Sequence, residues 1–307
     1  MNKEIKKTDV FYHYCSVETF FKIISNKSIW LSDISKSNDS EEITWALKQC
    51  TNYLFDLMGE YQKSLSKEEI TDEDSKKMFQ EARDLISFHI NKEAERYWVL
   101  CLSDKKDDLG QWRGYSQDAS GVAIGLRAEY IARLVGDNAI DDCDEKLHFD
   151  SVEYYKQFEV NSVFSQLNDN NKNISDMSKD EFYSYIKKIV VFSLIFAPYI
   201  KSDYFEDESE WRIAYKMSCS ELHKGRIPSI ENEHLSSKYE YSLNRGKLIS
   251  HLELILKHPS DAIASIWLGP KCTLSKREVK LFLIANRYLK NMEDNSIEIH
   301  TSGATYR

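Results

Sequence analysis

Three short segments hold the residues whose types and spacing can do chemistry: 11–16, 110–121 and 206–212. The last reads Glu206-Asp207-Glu208-Ser209-Glu210-Trp211-Arg212. Alternate side chains of a strand share a face. In a strand here, Glu208, Glu210 and Arg212 point one way, while Trp211, Ile213 and Tyr215 form a core face. Two carboxylates beside a guanidinium can hold a ribose hydroxyl and stabilise positive charge developing at a sugar carbon. The same residues also describe a solvated strand face with an ordinary ion pair, which is worth little.

The first segment is Phe11-Tyr12-His13-Tyr14-Cys15-Ser16. A strand would place Phe11, His13 and Cys15 on one face and Tyr12 and Tyr14 on the other. His13 then lies near a strand-to-helix junction, where it can meet a ligand hydroxyl or phosphate. It fits equally a histidine hydrogen-bonded inside an aromatic cluster. The second segment is Gly110-Gln111-Trp112-Arg113-Gly114-Tyr115-Ser116, followed by Ser120-Gly121. Its glycines suggest a loop presenting an exposed Trp112 and Arg113 as a docking surface. Arg113 can pair with phosphate through its planar fork. The alternative is a structural turn in which Trp112 plugs the core and Arg113 meets a local aspartate. These glycines match neither a P-loop nor a dinucleotide fingerprint.

Weaker signals surround these three. Asn38, Asp39, Glu41 and Glu42 are an acidic group at a helix start. Capping and dipole complementation account for them, and a magnesium site there lacks distinctive spacing. The remaining histidines form no metal pair, and neither a G-x-S-x-G elbow nor a kinase set occurs.

The elements that must position these residues follow from periodicity. Residues 9–15 read as a strand, Ser16 as a helix cap, and Phe20, Phe21, Ile23 and Ile24 as the apolar face of the helix. Residues 28–32 read as a second strand. From 41 to 96 the pattern is helical, an insertion between strands. Strands are expected at 97–103, 121–126, 147–155 and 208–215, with a helix from 180 to 199 stopped at Pro198. The C-terminal part gives a helix at 247–257, a strand at 262–268, a helix at 274–290 and a strand near 296–300. Helices and strands mix without regular βαβ alternation, so the expected class is α+β, one domain carrying the helical insertion.

Bulk properties agree with a globular chain. Of 307 residues, 42% are hydrophobic and 12% aromatic, enough for a substantial core. A net charge of −9 disfavours unspecific binding to nucleic acid or anionic membrane. The six cysteines contain no CxxC pair and read as buried, reduced thiols. The apolar run from Ile189 to Ala197 falls short of the about 20 residues a spanning helix needs, so a buried helix, no membrane contact and a cytoplasmic location are expected.

Read together, the motifs YHYCS, IWLSDISKSND, CLS, QWRGYS with GVAIG, ESEWRI and IWLGP resemble the bacterial family catalogued as domain of unknown function 2971. The resemblance runs in order from about residue 9 to the C-terminus. An opening strand with Tyr-His, a following Ser, a helix and a later Glu-x-Glu strand also look like the ADP-ribosyltransferase fold, most of all its DNA-modifying toxins of the DarT type. That second resemblance implies a mixed or antiparallel split sheet and NAD as substrate. It implies that His13 holds the NAD ribose and that Glu210, with Glu208 as its companion, contacts the ribose and helps the acceptor attack. Either Trp30 or Tyr115 takes the aromatic role of stacking on nicotinamide, and Arg113 or Arg212 holds pyrophosphate. Tyr14 and Ser16 fall in the same cofactor-binding set, and no metal is implied.

The expectation is an NAD-dependent ADP-ribosyltransferase or NAD glycohydrolase, a bacterial toxin or phage-defence effector. Its partners would be a protein or nucleic-acid acceptor and an antitoxin or defence-system component. Two alternatives stand beside it: a non-catalytic module binding protein or nucleic acid through Trp112 and Arg113, and a metal-dependent nuclease using Asp39, Glu41 and Glu208.

Overall fold

The computed structural model describes residues 5–36, 42–90, 95–136, 147–156, 160–168, 172–218, 230, 232–244 and 246–306. The chain opens as its pattern dictates. Strand β1 (Val10–Cys15) leads into helix α1 (Val17–Asn26), whose first turn is capped by the Ser16 side chain accepting from the Thr19 amide. Phe20, Ile23 and Ile24 bury its inner face. Lys27 ends the helix in the left-handed region at φ 56°, and β2 (Ser28–Asp33) follows.

Helices α2 (Glu42–Ser64), α3 (Lys67–Thr71) and α4 (Glu73–Ile90) fill the region expected to be helical. They do not stand alone. Leu54, Met58, Tyr61 and Phe79 share a core with Phe182, Ile186 and Ile189 of a later helix, Lys179–Phe196. That helix is the buried apolar run noted in the sequence. Among the described residues no helix is long and apolar enough to cross a membrane.

The rest is a mixed, mostly antiparallel open sheet. Its further strands are β3 (Glu95–Ser103), β4 (Val122–Arg127), β5 (Leu147–Ser151), β8 (Glu210–Ser218), β9 (Leu235–Asn244), β10 (Lys247–Ile255), β11 (Ile263–Leu268) and β12 (Glu298–Thr301). The order is β12-β11-β4-β1-β3-β2-β10-β9, and β8 pairs with both β3 and β5. Among the described residues, only the β11–β12 pairing in this sheet is parallel; the short strands β6 (Glu153–Tyr155) and β7 (Ile200–Ser202) form a separate parallel pair. The class is α+β.

Several expectations need correction. Residues 247–255 form a strand rather than a helix, paired with β2 on one side and β9 on the other. Leu252, Leu254 and Leu256 alternate into the core, so cross-strand packing decides against the helix preference of leucine. Residues 109–115 are a short helix rather than a loop, begun by Asp108 accepting from the Gln111 amide. Trp112 in it is fully buried, not exposed; it packs edge-on against Tyr14, and its Nε1 donates to Asp107 at 2.7 Å. Strand β8 is buried on both faces, so the picture of a solvated face fails: Glu210, Arg212, Ala214 and Lys216 are as enclosed as Trp211 and Ile213. Cys15 and Cys50 are buried thiols, but Cys101 is exposed. Cys143, Cys219, Asn38, Asp39 and Glu41 lie outside the described residues.

Candidate active site

The site lies where the sheet forks. Strand β3 runs its full length beside β8, from Glu95 opposite Ser218 to Ser103 opposite Glu210. Its other edge meets β1 at one register position, Tyr12 opposite Ser103, and meets β2 only at Val99 and Trp98. Between those contacts β1 and β2 part, and among the described residues the edge of residues 100–102 has no strand partner there. Backbone polar groups left unpaired are costly, so something must meet them. His13 does: its Nδ1 lies 3.2 Å from the Cys101 carbonyl oxygen.

That contact fixes the tautomer. A carbonyl only accepts, so Nδ1 carries the hydrogen and Nε2 keeps a lone pair. Burial lowers the His13 pKa and outweighs the opposing pull of the Cys101 carbonyl, so the neutral ring is favoured. His13 is therefore built to accept a hydrogen bond at Nε2.

Across the fork stand the two glutamates. Glu210 begins β8, and Glu208 ends a 3₁₀ turn over Asp203–Glu208. Ser209 joins them in the left-handed region, φ 45° and ψ 52°. Both carboxylates meet Lys201 on β7: Nζ lies 2.6 Å from Glu208 Oε2 and 3.0 Å from Glu210 Oε2. Arg212 donates Nε to Glu210 Oε1 at 2.8 Å and Nη2 to Oε2 at 2.9 Å, while its Nη1 donates to the Pro198 carbonyl. Burial alone would raise the pKa of Glu210; Arg212 and Lys201 override it and hold the group well below the usual carboxylate range. Glu208 Oε1 accepts from the Tyr115 hydroxyl at 2.7 Å, and burial together with Glu208 pushes that phenol up, keeping it a donor. The four charges cancel.

His13, Tyr115, Glu208 and Glu210 line one small cavity of about 60 Å³, with Cys101 and Gln111 in its wall. Lys201 and Arg212, which bond to the carboxylates of these two glutamates, line no part of it. His13, Tyr14 and Tyr115 also line an adjoining cleft of about 540 Å³, together with Ser16, Lys22 and Trp30. A space of that size suits a nucleotide-sized ligand.

The structure thus brings together His13, Glu208, Glu210, Tyr115, Tyr14, Ser16 and Trp30. It separates the two arginines from the phosphate role. Arg212 is wholly buried and its donors are committed to Glu210 and Pro198. Arg113 lies over the Tyr306 ring, 5.7 Å from its centroid, and lines neither space. Tyr14 is held by both bonds of its hydroxyl, donating to the Lys105 carbonyl and accepting from the Asp108 amide, which makes it a wall rather than a contact group. Among the described residues no group of three His, Cys, Asp or Glu is placed to hold a metal ion.

Sequence reasoning missed Lys201, Lys22 and His251. A lone lysine in Ile200-Lys201-Ser202 carries no signal; only the need to neutralise Glu208 and Glu210 reveals it. Lys22 is the cation that does line the cleft. His251 stacks on Trp30 with ring centroids 4.4 Å apart.

Residues 111–213 match the family model described as Protein of unknown function (DUF2971). The matched stretch runs from the buried Gln111 to Ile213 of β8, so it carries Tyr115, Lys201, Glu208, Glu210 and Arg212. His13 and Trp30 precede it. The resemblance to that family read from the motifs is supported over this stretch. No curated protein and no solved structure matches the chain.

Proposed function

We propose that this chain is an NAD-dependent ADP-ribosyltransferase or NAD glycohydrolase. One observation carries the reading: His13 and Glu210, far apart in sequence, line the same cavity at the fork of the sheet, and that cavity adjoins a nucleotide-sized cleft. Cleaving the nicotinamide–ribose bond creates an oxocarbenium-like centre. It needs an oriented sugar, a held leaving group and a fixed negative charge. Neutral His13 supplies an Nε2 acceptor for a ribose hydroxyl. Glu210, kept ionised by Arg212 and Lys201, supplies the charge without side-chain rearrangement, because both oxygens are already fixed. Glu208, tied to Tyr115 and lining the same cavity, is the group that orients an attacking hydroxyl or water. Trp30, on the wall of the cleft and backed by His251, is the ring on which nicotinamide stacks. Lys22, rather than either arginine, faces the pyrophosphate.

The test is nicotinamide release from NAD by the pure protein, alone and with DNA, RNA or cell lysate. Release is expected, and Glu210→Gln, assayed where thermal denaturation shows it folded, is expected to reduce it by about a hundredfold or more. No release under any of these conditions, with no modification of any acceptor, overturns the reading.

A further inference from the structure

On the wall of the larger cleft, strands β2, β10 and β9 lie side by side. Ser32 stands directly opposite His251, and Ser242 lies two positions along β9 from the residue opposite His251, facing Ile249. The His251 ring is bonded at both nitrogens: Nδ1 lies 3.0 Å from Ser32 Oγ, and Nε2 lies 2.7 Å from Ser242 Oγ. A serine hydroxyl within hydrogen-bond reach of an imidazole, whose far nitrogen is held by a third group, is the arrangement of an activated nucleophile. Ser32, Ser242 and His251 all line the cleft that His13 lines. Nothing in the proposed handling of NAD uses the Ser242–His251 bond.

We propose that Ser242 is an acceptor of the reaction, receiving the ADP-ribosyl group on its Oγ with His251 as the base. This rests on the NAD reading above. The bond from the ribose C1′ to the nicotinamide nitrogen breaks, and its electron pair leaves with nicotinamide. The Ser242 Oγ–C1′ bond forms, and the hydroxyl proton passes to His251 Nε2 and then to water. NAD and a serine thus give nicotinamide, a serine O-glycoside and one proton, with no further reactant. Ser32 Oγ holds Nδ1, and in the tautomer with its hydrogen on Nδ1 it accepts from that N–H while Nε2 is open to take the proton. Burial lowers the His251 pKa, and the nearby Asp33 offsets this only in part, so the ring is neutral and fit to act as a base.

The experiment incubates the full chain with NAD and no other acceptor. It follows nicotinamide release and, in parallel, maps adducts by intact mass and peptide analysis. The expected result is an ADP-ribosyl adduct on Ser242 that is absent from Ser242→Ala. His251→Gln, checked for folding by thermal denaturation, is expected to form the adduct at least about a hundredfold more slowly. Should His251→Gln not fold, Ser32→Ala, which leaves the imidazole in place but removes the group that holds its Nδ1, is expected to slow adduct formation as well. Nicotinamide release with no adduct on Ser242, or with adducts only elsewhere, overturns this proposal and leaves the NAD reading standing. No release at all overturns both.

Discussion

Lys201 and Glu210 form a buried ion pair, Nζ 3.0 Å from Oε2, with 6% and 8% of the two side chains exposed. The same ammonium reaches Glu208 at 2.6 Å, so one lysine bridges two carboxylates that would otherwise repel. A buried charge that loses its partner is expensive. Lys201→Met keeps most of the stem and removes the charge. It is expected to cost about 3–5 kcal/mol of stability, read by urea or thermal denaturation. A change under about 1 kcal/mol, the worth of an exposed pair, would show that the bridge contributes little.

Acid sensitivity follows from the same cluster. The folded-state pKa of Glu210 is depressed below its ordinary 4.5, so its contribution is fully present above that value and lost as pH falls towards about 2. Glu210→Gln removes the titrating group and leaves Arg212 and Lys201 without their shared anion. The stability gap between wild type and Glu210→Gln is expected to be wide at pH 6 and to shrink steadily below about pH 4.5. Denaturant titrations across that window measure it, and a gap independent of pH would remove Glu210 from the role of charged anchor.

Parts of this arrangement can be read in the sequence and parts cannot, for identifiable reasons. The β1–α1–β2 opening is legible because alternation, a serine cap and a two-sided helix all agree. Strand β10 is not, because Leu248, Ile249, Leu252 and Leu254 suit a helix period as well as a strand period, and only β2 and β9 decide between them. The helix at Leu109–Tyr115 hides behind Gly110 and Gly114, which normally mark turns. At the site, residue types point to His13, Glu208 and Glu210. The partners that hold them in place come from elsewhere: the Cys101 carbonyl exposed by the fork, and Lys201 on the far side of the 3₁₀ turn. Neither leaves a local trace in the chain.

Ser209 sits between the two glutamates with φ 45°, a conformation that costs a residue with a Cβ about 1 kcal/mol or more. The turn lets Glu208 end the 3₁₀ segment while Glu210 starts β8, both turned to Lys201. Ser209→Gly is expected to leave the fold intact and stabilise it by up to about 1 kcal/mol. Ser209→Val, branched at Cβ, is expected to destabilise it and to pull the carboxylates out of register, lowering nicotinamide release with it. Equal stability in the two variants would show that the turn is not constrained.

His13 offers the sharpest separation of structural from functional roles. Its Nδ1 supports the fork by donating to the Cys101 carbonyl, and its Nε2 is the proposed ribose contact. His13→Phe removes both groups; His13→Asn retains an amide that can donate in the place of Nδ1–H. With one neutral hydrogen bond worth about 1 kcal/mol, the asparagine variant is expected to fold like wild type and to raise the KM for NAD about fivefold to tenfold. The depressed pKa of His13 also sets a pH profile. Activity is expected to fall only on the acid side of the ordinary imidazole range, as protonation takes the Nε2 lone pair. Wild-type activity already falling at pH 7, or a KM unchanged in both variants, would mean that Nε2 does not meet the substrate.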